Sequence, residues 1–136
     1  MWKACRTLAM ALMISVLGLP GAARPPLETN QRVQNEFLAG AVGDEIRKNC
    51  PSISARLLRV AKRIRELESY ALSLGYSRSD IEKMRKSPSA KAKLKSMRDA
   101  YLSKNGVVAG NSASYCSLGR AEIKKKSLTG WLLREK

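Results

Sequence analysis

Residues 53–74 read ISARLLRVAKRIRELESYALSL, with apolar positions recurring at Ile53, Leu57, Val60, Ile64, Leu67, Ala71 and Leu74. This 4-3-4-3-4-3 spacing keeps one side of an α-helix apolar for three heptads. Ser52 or Ser54 is placed to cap the start. Gly75 follows the last periodic residue, where helices commonly end in a left-handed conformation. The stretch predicts a long amphipathic helix central to the core. It also carries Arg56, Arg59 and Arg63 at i, i+3 and i+7, a cationic stripe beside the apolar face.

Working outward, Thr29 or Asn30 caps a preceding helix that runs to about Lys48, with Val33, Phe37, Ala41 and Ile46 near one face. Pro51 ends it. On the other side, Ser77 with Asp80 three residues later is a capping box that opens a short helix through about Lys86. Ser87-Pro88 starts a fourth helix, which carries Leu94, Met97 and Tyr101 and stops at Asn105-Gly106. After a Gly/Asn/Ser loop, a fifth begins near Ser114 or Tyr115 and reaches Lys124, Lys125 and Lys126. Residues 127–133 read as a last short turn or helix presenting Leu128, Trp131 and Leu132. No segment alternates and threonine is scarce, so the expected fold is all-α, a small bundle of about five helices.

The N-terminus follows a different logic. Lys3 and Arg6 precede an apolar run from Leu8 to Leu19, and Pro20-Gly21 then leads to Ala22-Ala23. That order is the signature of a cleaved secretory signal over residues 1–23, leaving a basic helical domain over 24–136 and placing it in a periplasm. A retained anchor is the alternative. A 12-residue run spans only about 18 Å, however, against a hydrocarbon core of about 30 Å. A lipoprotein signal does not fit, because Cys5 precedes the apolar run.

Export changes what the cysteines mean. Without residues 1–23 only Cys50 and Cys116 remain, and two cysteines in an oxidising compartment predict one structural disulfide. It would join the end of the first helix to the start of the fifth, bringing both beside the second. A reactive thiol pair is the rival reading. It lacks C-x-x-C spacing, and the chain has no histidine to activate a thiolate.

The whole chain has 26 Lys+Arg against 11 Asp+Glu; leaving out Lys3 and Arg6 gives 24 against 11, a net +13. Such a balance predicts attraction to anionic surfaces. Outside the cytoplasm these are lipid headgroups, envelope polyanions and acidic protein faces, whereas nucleic acid is normally absent. Aromatic residues interleaved with the basic runs are also lacking, which argues against single-strand nucleic-acid binding. The candidate binding surface is Arg56, Arg59 and Arg63 together with Lys124, Lys125 and Lys126. Lys91, Lys93, Lys95 and Arg98 form a further basic run. Trp131, between Leu128 and Leu132-Leu133, suits an interface, a headgroup-level anchor or a cap on the core.

Catalytic patterns are weak. Without histidine, Ser-His-Asp and Cys-His sites are excluded, and no spacing supports a zinc site or a cofactor. Asp44 and Glu45 are adjacent on a helix and point about 100° apart, as surface charges do. Glu122 reads as a salt-bridge partner. The expected protein is therefore not an enzyme.

Two cysteine-centred motifs, IRKNCPSISAR at 46–56 and YCSLGRAEI at 115–123, carry a family resemblance. With Leu74-Gly75-Tyr76, Asn105-Gly106-Val107 and GWLLR at 130–134, the chain from about residue 33 to 134 resembles a family of uncharacterised small exported alphaproteobacterial proteins. Genes of that family often lie among those for respiratory complex I. The resemblance implies an accessory subunit or assembly factor on the periplasmic side of that membrane protein complex. It transfers a role only to Cys50 and Cys116, as the bridge. The alternative is a free binding module for anionic envelope polymers or the membrane surface.

Overall fold

A computed structural model describes residues 23–136; the predicted signal segment, apart from Ala23, lies outside the described residues. A 3-10 turn at Leu27–Thr29 leads into α1 (Gln31–Asn49), β1 (Ile53–Ala55), α2 (Leu57–Ser73), α3 (Arg78–Lys86) and α4 (Pro88–Lys104). The chain continues through α5 (Ser112–Lys124), α6 (Leu128–Leu132) and β2 (Leu133–Glu135). The protein is mostly helical, as expected, with six α-helices and one short two-stranded ribbon among the described residues.

Local chemistry sets most of the boundaries. The side chains of Asn30, Ser77, Ser87, Asn111 and Ser127 each accept from a backbone N–H in the first turn of their helix. At Ser77 the Asp80 carboxylate reciprocates, completing the capping box. Gly75 and Gly106 end α2 and α4 with φ of 86° and 79°, a region that costs glycine nothing.

The centre of the molecule is α1, which packs against α4, α5 and α6. Val42 and Ile46 meet Ile53, Leu102, Tyr115, Leu118 and Leu133 around the Cys50–Cys116 bridge, whose Cα atoms are 5.1 Å apart. The predicted disulfide is therefore present, and it ties the end of α1 to α5. Gly119 on α5 lets the two helices approach: a β-carbon there would press on Ile53 and stand 2.8 Å from Cγ2 of Ile46. A smaller cluster of Leu27, Val33, Ala71 and Met84 joins α1 to the ends of α2 and α3.

Two expectations about residues 53–74 need correction. The helix does not start at Ile53. After Pro51 the chain turns, Ile53 enters the core at 1% exposure, and residues 53–55 pair antiparallel with 135–133. The Arg56 N–H then donates to the Leu132 carbonyl oxygen at 2.8 Å, and the helix begins one residue later. Nor is the second helix central. Ala71 is its one buried residue, whereas Leu57 is 75% exposed and Ile64 62% exposed. The bridge brings α1 and α5 together on the side where α6 packs; α2 lies at the edge, against α6, α3 and part of α1.

Candidate docking cleft and cationic faces

Helix α2 is held at its two ends, with one further link between them, from Arg63 across to Glu36 of α1. At the N-terminal end, Arg56 Nε donates to the Leu133 carbonyl oxygen at 3.0 Å and Arg59 Nη1 to that of Trp131 at 3.1 Å. The Arg59 guanidinium also lies 4.9 Å from the Trp131 ring centroid, within cation–π range. At the other end, Ala71 is buried with Leu27, Val33 and Met84. Arg32 lies 4.1 Å from the ring centroid of Tyr70.

Between these attachments is a cleft of about 750 Å³, a size typical of ligand and docking sites. Phe37, Gly40 and Ala41 of α1 form its floor, Val60, Ile64 and Leu67 of α2 one wall, and Ile81 and Met84 of α3 the far end. No β-carbon narrows the floor at Gly40, which faces open space.

The charged groups around the cleft are paired with one another. Arg63 grips Glu36 through two hydrogen bonds, Nε to Oε2 at 2.8 Å and Nη2 to Oε1 at 2.5 Å, and also donates to Glu66 at 3.1 Å. This fork spans α2 to α1, and the Glu36 hydrogen bonds, first among the causes, raise the pKa of Arg63. Asp44 is paired with Arg47 and Lys48, each at 2.5 Å, while Arg78 meets Glu68 and Arg85 meets Glu82. Burial pushes the Asp44 carboxyl up, but hydrogen bonds from Lys48 and Arg47 overcome this and hold it below its ordinary value. A chain of net charge +15 thus presents a cleft whose rim is close to neutral.

The predicted stripe Arg56, Arg59 and Arg63 is therefore brought together on one helix, but each member has a partner within the molecule. Those partners, Leu133, Trp131 and Glu36, are remote in sequence, so spacing along α2 could not reveal them. Trp131 itself is half-buried beneath Arg59. Lys124 and Lys126 are exposed at and just beyond the end of α5, Lys126 with φ of 53°. Lys125 is paired with Glu122 at 2.8 Å. On α4, Lys91, Lys93 and Lys95 are exposed, and Arg98 is half-buried between Asp99 and Glu45.

Glu122 is the residue that sequence reasoning undervalued. Its side chain is 0% exposed and accepts from Tyr101 Oη at 2.6 Å, Lys125 Nζ at 2.8 Å and Ser127 Oγ. A signal existed: Tyr115, Leu118 and Glu122 share one face of α5, so an acid stands in a core position. Burial raises its pKa, yet the hydrogen bonds from Lys125, Ser127 and Tyr101 more than offset that and leave the carboxyl below its ordinary value. Burial, followed by the Glu122 hydrogen bond, pushes the Tyr101 phenol up to about 12. A carboxylate saturated in this way ties α5 to α4 and α6. Among the described residues no group of three or more His, Cys, Asp or Glu is placed to hold a metal ion, and no helix is long and apolar enough to cross a membrane.

Fold and site together define a small basic helical domain, closed by one disulfide and carrying an open apolar cleft at its edge. The chain belongs to a family of unknown function, DUF5333, whose sequence model matches residues 25–134. No curated protein and no solved structure matches it.

Proposed function

We propose that the protein is a non-enzymatic periplasmic accessory or assembly protein that docks onto a membrane protein complex. The carrying observation is the cleft between α1, α2 and α3: an apolar surface left open in a domain this small is a site for another molecule. Its near-neutral, self-paired rim suits an apolar segment of a protein better than a polyanion, which would be drawn to unpaired cations. The floor belongs to α1, which packs on α4, α5 and α6 and is tied at its end to α5 by the disulfide, so little ordering is needed on binding. Respiratory complex I is the candidate partner, on the strength of the resemblance carried by the two cysteine motifs.

The test is a pull-down from mild-detergent extracts of the native host, with a C-terminal tag on a flexible linker. The linker matters because the Lys136 N–H donates to the Ser52 carbonyl oxygen at 2.9 Å. Stoichiometric recovery of complex I subunits, lost on Ile64→Asp, is the expected result. Recovery of the protein with no enriched partner would sink the proposal.

A further inference from the structure

The N-terminal end of α2 has a surface that a partner seated in the cleft would leave uncovered. Leu58 is 88% exposed, the most exposed large apolar side chain among the described residues, and Leu57 beside it is 75% exposed. On a helix, consecutive residues point about 100° apart. Leu57 shares its side with Ile64, seven residues on, which lines the cleft. Leu58 points elsewhere and shares its side with Lys62 and Arg65, both exposed. Neither leucine lines the cleft, so a segment lying in it covers Ile64 but leaves Leu57 and Leu58 in water.

The charge around this end is of one sign. From Arg56 to Arg65 the chain has five cations and no acid. The first acid along α2 is Glu66, already bonded to Arg63 and 3.9 Å from Lys62. Arg59 and Arg63 are half-buried and taken up internally, whereas Lys62, Arg65 and Arg56, whose Nε donates to the Leu133 carbonyl oxygen, are exposed around the two leucines. Protruding leucines ringed by long cationic side chains match a phospholipid surface. The acyl boundary takes the leucines, and the phosphates take the cations, whose stems reach up to headgroup level.

We infer that this end of α2 is a peripheral membrane contact, in which Leu57 and Leu58 enter an anionic phospholipid surface while Arg56, Lys62 and Arg65 pair with headgroup phosphates. This contact stands apart from the proposed protein partner, because neither Leu57 nor Leu58 lines the cleft.

The experiment is co-sedimentation of the purified protein with phosphatidylcholine vesicles, with and without phosphatidylglycerol. Binding is expected on the anionic vesicles alone and should weaken as salt screens the charges. The double variant Leu57→Ser/Leu58→Ser should lower partitioning by about tenfold or more with an unchanged thermal melt, since both side chains are already in water. Lys124→Ser, which removes a charge on α5, should change it by less than about twofold. Three results would overturn the inference: no binding to anionic vesicles, equal binding to neutral ones, or full binding by the leucine variant. The last would indicate charge attraction alone, as for a soluble polyanion. A detergent pull-down reads the protein partner without vesicles, so the two ideas fail separately.

Discussion

The α1–α5–α6 half of the molecule and the α2–α3 half are built from similar residues but stand in opposite relations to water. In the first, Ile46, Ile53 and Leu133 are fully buried, and a glutamate is buried with three donors around it. In the second, the best-patterned helix of the sequence leaves two leucines and an isoleucine exposed. Amphipathic periodicity establishes that a helix has an apolar side. Whether anything in the same chain covers that side is decided elsewhere.

The largest effect expected is on the closed half. Reducing the bridge, or making Cys50→Ser or Cys116→Ser, releases a loop with a sequence separation of 66, and should cost about 4 kcal/mol by the chain-entropy estimate. Thermal or denaturant melts should show the same loss for either single variant and no further loss for the double. Next comes Gly130→Ala: its β-carbon would collide with the Glu122 carbonyl group and stand 2.7 Å from Ile123 N. Backbone cannot yield as a side chain does, so about 3 kcal/mol should be lost in the same melts.

Glu122→Gln keeps the shape but weakens the bonds from Lys125 and Tyr101, and should cost about 1–2 kcal/mol. Its pH signature has a definite sign. Because the folded pKa of Glu122 is depressed, its contribution is full above the ordinary value of 4.5 and is lost as pH falls through the folded value. Tyr101 behaves oppositely. Its raised pKa stabilises the fold below pH 10, and that contribution fades as pH rises from 10 towards about 12. Phenolate absorbance should therefore show one tyrosine titrating late, and Glu122→Gln should bring it earlier. The smallest effect on stability belongs to the open half: Leu58→Ser should shift the melt by less than about 0.5 kcal/mol. A larger loss would mean that the two halves differ less than their exposure suggests.

This contrast also explains what the sequence made legible. Asn30, Ser77 with Asp80, Ser87 with Pro88, Gly75 and Gly106 act on their own neighbours within a turn, so their positions located helix ends closely. The cysteine pair was readable because only one pairing remained. The ribbon was not, because the three residues ISA are too few to register an alternation and their partners lie about eighty residues away. The arginine stripe misled for the same reason. Its i, i+3, i+7 pattern is local, whereas the carbonyl oxygens of Trp131 and Leu133 and the carboxylate of Glu36 that engage it are not.

The ribbon also fixes an order of events during synthesis. Helices α1 to α4 are complete long before residues 133–135 exist, and only these residues pair with 53–55 and present the carbonyl that holds Arg56. Until the last strand is made, the base of α2 has no clasp and its leucine-rich end swings free of the body. Any molecule that meets the chain before residues 133–135 are in place meets α2 without this clasp.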